Sequence, residues 1–248
     1  MLKRRNISIR RTAEEEARNA RKIIGDFAFV AFRNAGIYEV DRYADAVASA
    51  CRAAIDDLMS SRLRDPAIRN KPIECQISIH STFCAVLHYR LASGLLQLDQ
   101  PWDQLQVDAM RLCFSARSLT GIEIHPEARI GARLCIDHGW GTVIGQTTEL
   151  GDDAYILNNV ILGGRAIGDA SDGKRHPTIG DRVQISGGSR ILGPVVIGDD
   201  CFIGSDVTLT TDLPAGSRVV NKPAHAIYAA SSPAIIGTFS SAGAERCP

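Results

Sequence analysis

The sequence predicts an α-helical region followed by a parallel β-helix. The first indication is the distribution of glycine, because residues 1–120 contain three of the 22 glycines and residues 121–248 the other nineteen, so the two parts use different kinds of backbone. The second is the spacing of aliphatic residues, which changes from helical intervals before residue 120 to an interval of six from residue 124. At 248 residues, the chain can form one large or two modest domains.

Composition excludes several classes of protein. The 28 Lys and Arg residues balance 28 Asp and Glu, and 45% of residues are hydrophobic, which is untypical of disordered or nucleic-acid-binding chains. Seven dispersed cysteines without a C-x-x-C pair are typical of small buried residues in a reducing compartment. The basic N-terminus lacks an apolar signal region, and no run of about 18 apolar residues occurs. We expect a soluble cytoplasmic protein, an organelle transit peptide being the alternative.

Residues 1–120 are predicted to form a helical bundle. Thr12 and Glu15 have the spacing of a capping box, which predicts a helix from Ala13. Apolar stripes at three- and four-residue intervals follow at Val47, Cys51, Ala54/Ile55 and Leu58; at Ile77, Phe83/Cys84, Leu87, Leu91 and Leu95; and at Val107, Met110 and Cys113/Phe114. These stripes pack against one another or against a second subunit. By itself, Asp65-Pro66 is explained as an N-cap and first helical residue.

From residue 124 the chain repeats every six residues. The aliphatic positions are Ile124, Ile130 and Ile136; Ile144, Leu150, Ile156 and Leu162; and Ile179, Ile185, Ile191, Ile197, Ile203 and Leu209. Three such hexads close a triangular coil of about 18 residues, and the coils stack at about 4.8 Å. The repeat residues point inward, as do small or β-branched residues four positions later: Ala128, Ala154, Val160, Val183, Ser189, Val195 and Val207. Seven repeat residues precede glycine, where we expect left-handed corners.

Two interruptions of the repeat mark the predicted functional face, because an insertion must leave the coil. Ile136 to Ile144 spans eight residues and includes His138, and Leu162 to Ile179 spans seventeen and includes His176. No pair of these histidines has close metal-ligand spacing, so we expect no metal site. Acid–base chemistry fits better, with Asp137 beside His138 and Glu123 fifteen residues earlier. Arg175 offers a fixed cation for a carboxylate.

These motifs carry a family resemblance. The segments Thr120-Gly-Ile-Glu-Ile-His-Pro-Glu-Ala-Arg-Ile-Gly, Ile136-Asp-His-Gly-Trp-Gly, Leu162-Gly-Gly and Lys174-Arg-His-Pro-Thr-Ile-Gly resemble serine O-acetyltransferase, the hexapeptide-repeat enzyme that acetylates serine from acetyl-CoA in cysteine biosynthesis. The likeness is close over residues 118–228 and weaker in the helical region. It implies an α+β protein with an N-terminal α-helical oligomerisation and substrate domain (1–120), a C-terminal left-handed parallel β-helix (121–228) and a C-terminal tail (229–248).

The resemblance also implies residue roles. His138 matches the general base and Glu123 the carboxylate that orients it. The amino-acid pocket corresponds to Asp65, Asp137, Arg175 and His176, and the backbone along the acetyl-CoA cleft to Gly164, Gly187 and Ser205. Family members are homotrimers, often paired through their helical domains into hexamers, with sites between neighbouring prisms. The implied reaction is direct transfer without a covalent acyl-enzyme or a metal, and we expect no nucleic-acid or membrane partner.

The chain also departs from the family pattern. Arg165-Ala166-Ile167 replaces Thr-Gly-Lys in a longer loop, Trp140 stands where small residues are common, and the tail ends in Cys247-Pro248 instead of the isoleucine that enters the sulfhydrylase. We therefore predict little or no sulfhydrylase complex through this tail. L-Serine is the leading acceptor. The alternatives are another hydroxy amino acid in specialised metabolism, a non-catalytic β-helix scaffold, and a lipid-A-type or antibiotic acyltransferase, which needs no Arg-His-Pro clamp.

Overall fold

The computed structural model describes residues 13–69, 71–79, 81–168 and 173–222, in which helices precede a prism of parallel strands. The helices are α1 (Ala13–Asn34), α2 (Ala44–Arg64), α3 (Ile73–Ile79), α4 (Ser81–Leu95) and α5 (Trp102–Thr120), with a short 3-10 helix at Val40–Tyr43. Thr12 of the predicted capping box and the predicted tail lie outside the described residues. None of the helices in these ranges has the length and apolarity needed to cross a bilayer.

Helix α4 lies at the centre of the helical part and packs against α2 and α5. The predicted stripes of α2 and α4 are confirmed, since Ala54, Leu58, Leu87 and Leu91 are buried in one core. In α5 the prediction is largely wrong. Only Cys113 of its stripe is buried, whereas Phe114 is 69% exposed; Val107 and Met110 are exposed too. The buried face consists of Leu105, Ala109, Leu112 and Ala116.

The strands form three parallel sheets, each contributing one strand per coil. Sheet A contains β1 (Glu123–Ile124), β4 (Val143–Ile144), β7 (Ile161–Gly163), β10 (Arg190–Leu192) and β13 (Thr208–Leu209). Sheet B contains β2 (Arg129–Ile130), β5 (Glu149–Leu150), β8 (Thr178–Ile179) and β11 (Val196–Ile197). Sheet C contains β3 (Cys135–Ile136), β6 (Tyr155–Ile156), β9 (Gln184–Ile185), β12 (Phe202–Ile203) and β14 (Arg218–Val219). We name the edges AB, BC and CA after the sheets that the chain joins there.

The interior of the prism confirms the six-residue repeat. Every aliphatic repeat residue is buried except Ile130, which is partly buried, and the seven small or β-branched residues four positions later are buried as well. Strict stacking keeps each repeat residue above its counterpart in the next coil, as Ile136 lies over Ile156 and Ile156 over Ile185. The period of six is therefore one strand and one corner, as predicted.

The expectation for the corner glycines is wrong. Positive φ occurs two residues later, at Arg133, Asp153, Arg182 and Asp200, with φ between 57 and 60°. Glycine is needed for a different reason, the close approach of the next coil. A Cβ on Gly151 would lie 2.7 Å from the carbonyl carbon of Gly180, and backbone atoms cannot move aside as a flexible side chain can. Glycine is therefore required after the repeat residue because the coils are so close together. The positions with positive φ, two residues later, are occupied by Asp and Arg.

Hydrogen bonds along the BC edge tie the coils to one another. The Asp152 carboxylate accepts from the Ala132 N–H, Asp181 from the Asp152 N–H and Asp199 from the Asp181 N–H, at 2.8, 2.8 and 2.9 Å. Arg133 and Arg182 pair with these and neighbouring carboxylates on the outside. The BC edge is therefore occupied by the fold's own polar contacts.

A buried ion pair joins the helical part to the first coil. Arg90 of α4 forms two hydrogen bonds with Asp57 of α2, at 2.8 and 3.0 Å. The same guanidinium donates to the carbonyl oxygens of Ile130 and Gly131 at 2.8 and 2.6 Å, and Asp57 accepts from the Leu134 N–H at 2.8 Å. These contacts fix α2 and α4 against the turn between β2 and β3.

The two interruptions leave the strand registers unchanged. Across the longer one, Leu162 still pairs with Ile144, and Ile179 still pairs with Leu150. Across the shorter one, Ile136 pairs with Ile156 and Val143 with Glu123. The inserted residues therefore emerge from the CA edge in the first coil and from the AB edge in the third.

Candidate active site

A narrow pocket lies between the helical part and the first coil, and it contains two predicted site carboxylates. Asp65 reaches it from the end of α2 and Asp137 from the end of β3; its wall also includes Ser61, Gln76, Thr82 and Cys135. Asp65 does not start a helix. It is the C-cap of α2 and accepts the Ala67 N–H at 2.7 Å, so it caps a single turn and faces the pocket as well.

Asp137 is held by the second coil. The Tyr155 hydroxyl donates to its Oδ2 at 2.9 Å. Burial raises the pKa of the Tyr155 phenol, and the hydrogen bond and charge of Asp137 raise it further, with a contribution from Asp65. Burial also raises the pKa of the Cys135 thiol, to about 11. At neutral pH the pocket therefore contains a neutral thiol beside two acidic side chains, one of which accepts a hydrogen bond from a neutral phenol.

His138 stands on a tight turn at the CA edge, directly after Asp137. Its backbone has φ +58°, which is uncommon for a residue other than glycine. Gly139 follows at φ +62°, where a Cβ would lie 2.6 Å from Ile122 Cδ1 and 3.0 Å from Thr82 Cγ2 of α4, so the turn is packed closely against the start of the prism and the helical part. The His138 imidazole is exposed at the surface, and an approaching substrate can reach it.

Trp140 completes the same turn. Its backbone N–H donates to the His138 carbonyl oxygen at 2.8 Å. A Cβ on Gly121 would lie 2.5 Å from the indole ring, so the ring rests on the glycine that ends α5. It is nevertheless 68% exposed, which leaves a large aromatic surface on the turn that carries His138.

Glu123, the predicted partner of His138, lies on β1 and pairs with another residue. Its Oε2 lies 3.1 Å from Arg117 Nη1 at the end of α5, and the side chain is 43% exposed. No hydrogen bond joins Glu123 to His138, both of which the structure describes. The second carboxylate oxygen, Oε1, is the one that a histidine–carboxylate contact can use while the ion pair with Arg117 stays in place.

Arg175 and His176 lie at the AB edge, one edge away from His138. The backbone N–H groups of both residues donate to Thr147 Oγ1, at 2.9 and 3.1 Å. The Thr147 N–H donates to His176 Nδ1 at 3.2 Å, which places the proton of a neutral imidazole on Nε2. Burial lowers the pKa of His176, and the Arg175 charge lowers it further. Arg175 Nη2 donates to Gln146 Oε1 at 2.6 Å.

The residues predicted to line the cofactor cleft are divided between the same two edges. Gly164 lies at the AB edge, whereas Gly187 and Ser205 lie at the CA edge in the third and fourth coils. At about 4.8 Å per coil, they lie about 10 and 14 Å below the level of His138. Ser205 is exposed, and the Gly187 carbonyl oxygen accepts the Asp206 N–H at 3.0 Å. One chain thus carries two halves of the predicted site on separate edges.

Sequence reasoning missed Tyr155, Cys135, Gln146 and Thr147. The repeat contains a usable signal for the first two. Ile136 and Ile156 occupy the same position of consecutive coils, which places Tyr155 next to Cys135 in sheet C, as the ladder has them. The contacts of Gln146 and Thr147 depend on the path of the long excursion, which has no repeat. Within the described part of the chain, no group of three or more His, Cys, Asp or Glu residues could hold a metal ion.

Comparisons with known proteins agree with this architecture. Residues 176–211 match the family model for the bacterial transferase hexapeptide (six repeats). A serine acetyltransferase from Helicobacter pylori is 44% identical over 66% of this chain and 90% of its own length, and one from Mycobacterium tuberculosis is 41% identical over 69% and 70%.

Solved structures are similar over a longer part of the chain. Soybean serine acetyltransferase complexed with serine matches with TM-score 0.69 and 28% identity, covering 85% of this chain and 93% of that one. The Neisseria gonorrhoeae serine acetyltransferase in complex with serine matches with TM-score 0.68 and 26% identity over the same shares. From the extent of this identity and the shared fold, the chain belongs to the serine acetyltransferase family.

Proposed function

We propose that this protein transfers the acetyl group of acetyl-CoA to the side-chain hydroxyl of L-serine and releases O-acetylserine and free CoA. The observation that carries the proposal is the pocket lined by both Asp65 and Asp137, together with the exposed His138, which directly follows Asp137 in the chain. Two carboxylates suit the α-ammonium group of an amino acid, and an exposed imidazole on the residue next to one of them suits a hydroxyl. The similarity to serine acetyltransferases solved with serine supports this acceptor.

His138 acts as the general base in this proposal. Its imidazole takes the hydroxyl proton while the serine oxygen forms a bond to the thioester carbonyl carbon. The carbon–sulfur bond then breaks, and the sulfur of CoA receives the proton. Glu123 orients the imidazole through its second carboxylate oxygen, while the first pairs with Arg117. The transfer is direct, which the neutral Cys135 thiol supports, because a thiol with a pKa of about 11 is a poor nucleophile at neutral pH. The route uses no metal.

The separate edges favour a site assembled from two subunits. Asp65, Asp137 and His138 lie near the CA edge, and Arg175 and His176 at the AB edge. We infer that three left-handed prisms pack around a common axis, so that Arg175 and His176 of one subunit face the CA edge of the next. Arg175 then binds the serine carboxylate. Acetyl-CoA lies in the cleft between the edges, along Gly164 of one chain and Gly187 and Ser205 of the other.

A pairing of two such trimers would use the helical parts. The exposed apolar face of α5, with Val107, Met110 and Phe114, supports an interface there. The predicted tail and its reduced binding to a sulfhydrylase lie outside the described residues and stay a prediction.

The test is a thiol-release assay with acetyl-CoA and a panel of serine, homoserine, threonine and serine analogues. We expect serine to be the fastest acceptor and His138→Ala to reduce kcat by about 10²–10⁴, the usual contribution of a positioned general base. Serine turned over tenfold more slowly than another acceptor would identify a different hydroxy amino acid. No turnover of any acceptor, with His138→Ala indistinguishable from wild type, would support a scaffold instead.

A further inference from the structure

Tyr155 connects the second coil to the amino-acid pocket. It lies on β6 directly beside Cys135 of β3 in the parallel ladder, so both side chains leave the prism on the outer face of sheet C. From there the half-buried phenol reaches past the end of β3, and its hydroxyl donates to Asp137 Oδ2 at 2.9 Å. Asp137 lies outside the regular ladder, on the first residue of the excursion that carries His138.

The contact fixes one oxygen of a carboxylate that the described residues otherwise hold only through its backbone. The Asp137 N–H donates to the Ile156 carbonyl oxygen at 2.9 Å. Among the described residues, no side chain other than Tyr155 donates to the Asp137 carboxylate. With Oδ2 engaged, Oδ1 is the oxygen that can accept a ligand's N–H group, and the rotation of the carboxylate is restricted.

The phenol is suited to this role over the whole physiological pH range. Burial and the two nearby carboxylates, Asp137 and Asp65, raise the pKa of Tyr155, so the hydroxyl keeps its proton and stays a donor. A carboxylate held by a neutral donor retains its negative charge for a substrate. By contrast, an arginine in the same place would neutralise the charge that the ammonium group needs.

We propose that Tyr155 is a positioning residue that presents the Asp137 carboxylate to the α-ammonium group of the acceptor amino acid. This inference rests on the proposed function, because it assumes that the pocket binds an amino acid. It assigns the affinity for the acceptor partly to a residue of the second coil, one strand away from the residues that contact the substrate. It does not involve the acetyl donor.

The helical part offers a matched control. The Tyr43 hydroxyl donates to Asp108 Oδ2 at 2.7 Å, and burial together with Asp108 raises its pKa to about 12. Tyr43→Phe and Tyr155→Phe each remove one phenol-to-carboxylate hydrogen bond and leave the ring in place. Only the second bond involves the pocket. Thermal unfolding of both variants measures the structural cost of the change.

The experiment determines kcat and the KM values of serine and acetyl-CoA for wild type, Tyr155→Phe and Tyr43→Phe. We expect Tyr155→Phe to raise the KM of serine about tenfold, as for a hydrogen bond to a charged group, with the KM of acetyl-CoA within twofold of wild type. We expect Tyr43→Phe to leave both KM values unchanged. Calorimetric titration with serine checks that the KM change reflects binding.

Three results would overturn the inference. The first is a serine KM in Tyr155→Phe within twofold of wild type, and the second is an equal rise in both KM values. The third is the same change in Tyr43→Phe, which would show a general loss of stability. A wild-type protein that neither acetylates nor binds serine or any other amino acid of the panel refutes the proposed function and this inference together, whereas an active wild type with an unchanged Tyr155→Phe refutes only the role of Tyr155.

Discussion

Replacement of Arg90 by methionine tests the contact between the helical part and the β-helix. Methionine keeps the apolar stem of the side chain and removes all of its donors. The variant leaves the Asp57 carboxylate, which is 2% exposed, with the Leu134 N–H as its remaining hydrogen-bond donor. The carbonyl oxygens of Ile130 and Gly131 also lose their donor.

The expected loss is large because Asp57 cannot regain water. Removal of one partner from a buried ion pair costs about 3–5 kcal/mol, against a total free energy of unfolding of about 5–15 kcal/mol for a typical domain. The Arg90 side chain is 11% exposed, so solvent replaces little of the lost interaction. We therefore expect Arg90→Met to lower the free energy of unfolding by about 3–5 kcal/mol. Activity should fall too, since Asp57 and Asp65 lie on the same pocket.

Urea denaturation followed by circular dichroism measures the change. The control is Arg182→Gln, which removes a guanidinium that pairs with three carboxylates, Asp181, Asp199 and Asp200, on the exposed BC edge. This control should unfold close to wild type, because exposed pairs are screened by water and salt. A loss below about 1 kcal/mol in Arg90→Met, the range of exposed pairs, would refute the argument that burial makes this pair important.

Two further predictions concern glycine and pH. Gly151→Ala should destabilise the protein, because its Cβ would meet the backbone of the next coil. Gly25→Ala in α1 should stabilise it by about 1 kcal/mol, because alanine has the higher helix propensity and nothing lies within 4 Å of the added Cβ. A stabilised Gly151→Ala would contradict the stacking explanation. Burial lowers the pKa of His88, so below pH 6.5 the unfolded chain binds the proton more readily than the folded one, and stability falls as the pH drops. Thermal unfolding between pH 7.5 and 5.5 should show a steeper fall for wild type than for His88→Gln, and equal slopes would exclude His88 as the cause.

The strands of the prism could be predicted in detail because its structural repeat is also a repeat in the amino-acid sequence. Each coil repeats the last, so the period of six specified the strands, the interior residues and the places where the chain leaves the coil. The reason for the corner glycines escaped prediction, because it depends on the distance between coils and not on the conformation of one residue. The repeat does place Tyr155 beside Cys135, but its hydrogen bond to Asp137 on the neighbouring coil depends on side-chain conformations that the repeat does not specify.

The helical part was less predictable, as α5 illustrates. Its sequence contains two apolar faces, and the spacing of Val107, Met110 and Phe114 is as regular as that of the face that is buried. Periodicity alone cannot decide which face meets the rest of the chain. The position of α4 decides it, and that follows from contacts between segments far apart in sequence.

The strand registers are the same on both sides of the two excursions. The residues that fold the prism are therefore different from the residues that the excursions present to a substrate. The coils keep the same strand pairing around intervals of eight and of seventeen residues, so the pairing does not depend on the length of these two segments. We therefore expect changes in the length of the segment 164–177, or in the residue at the position of Trp140, to leave the strand ladder intact. The acceptor preference can therefore be altered by changes in these two segments while the strands keep their pairing.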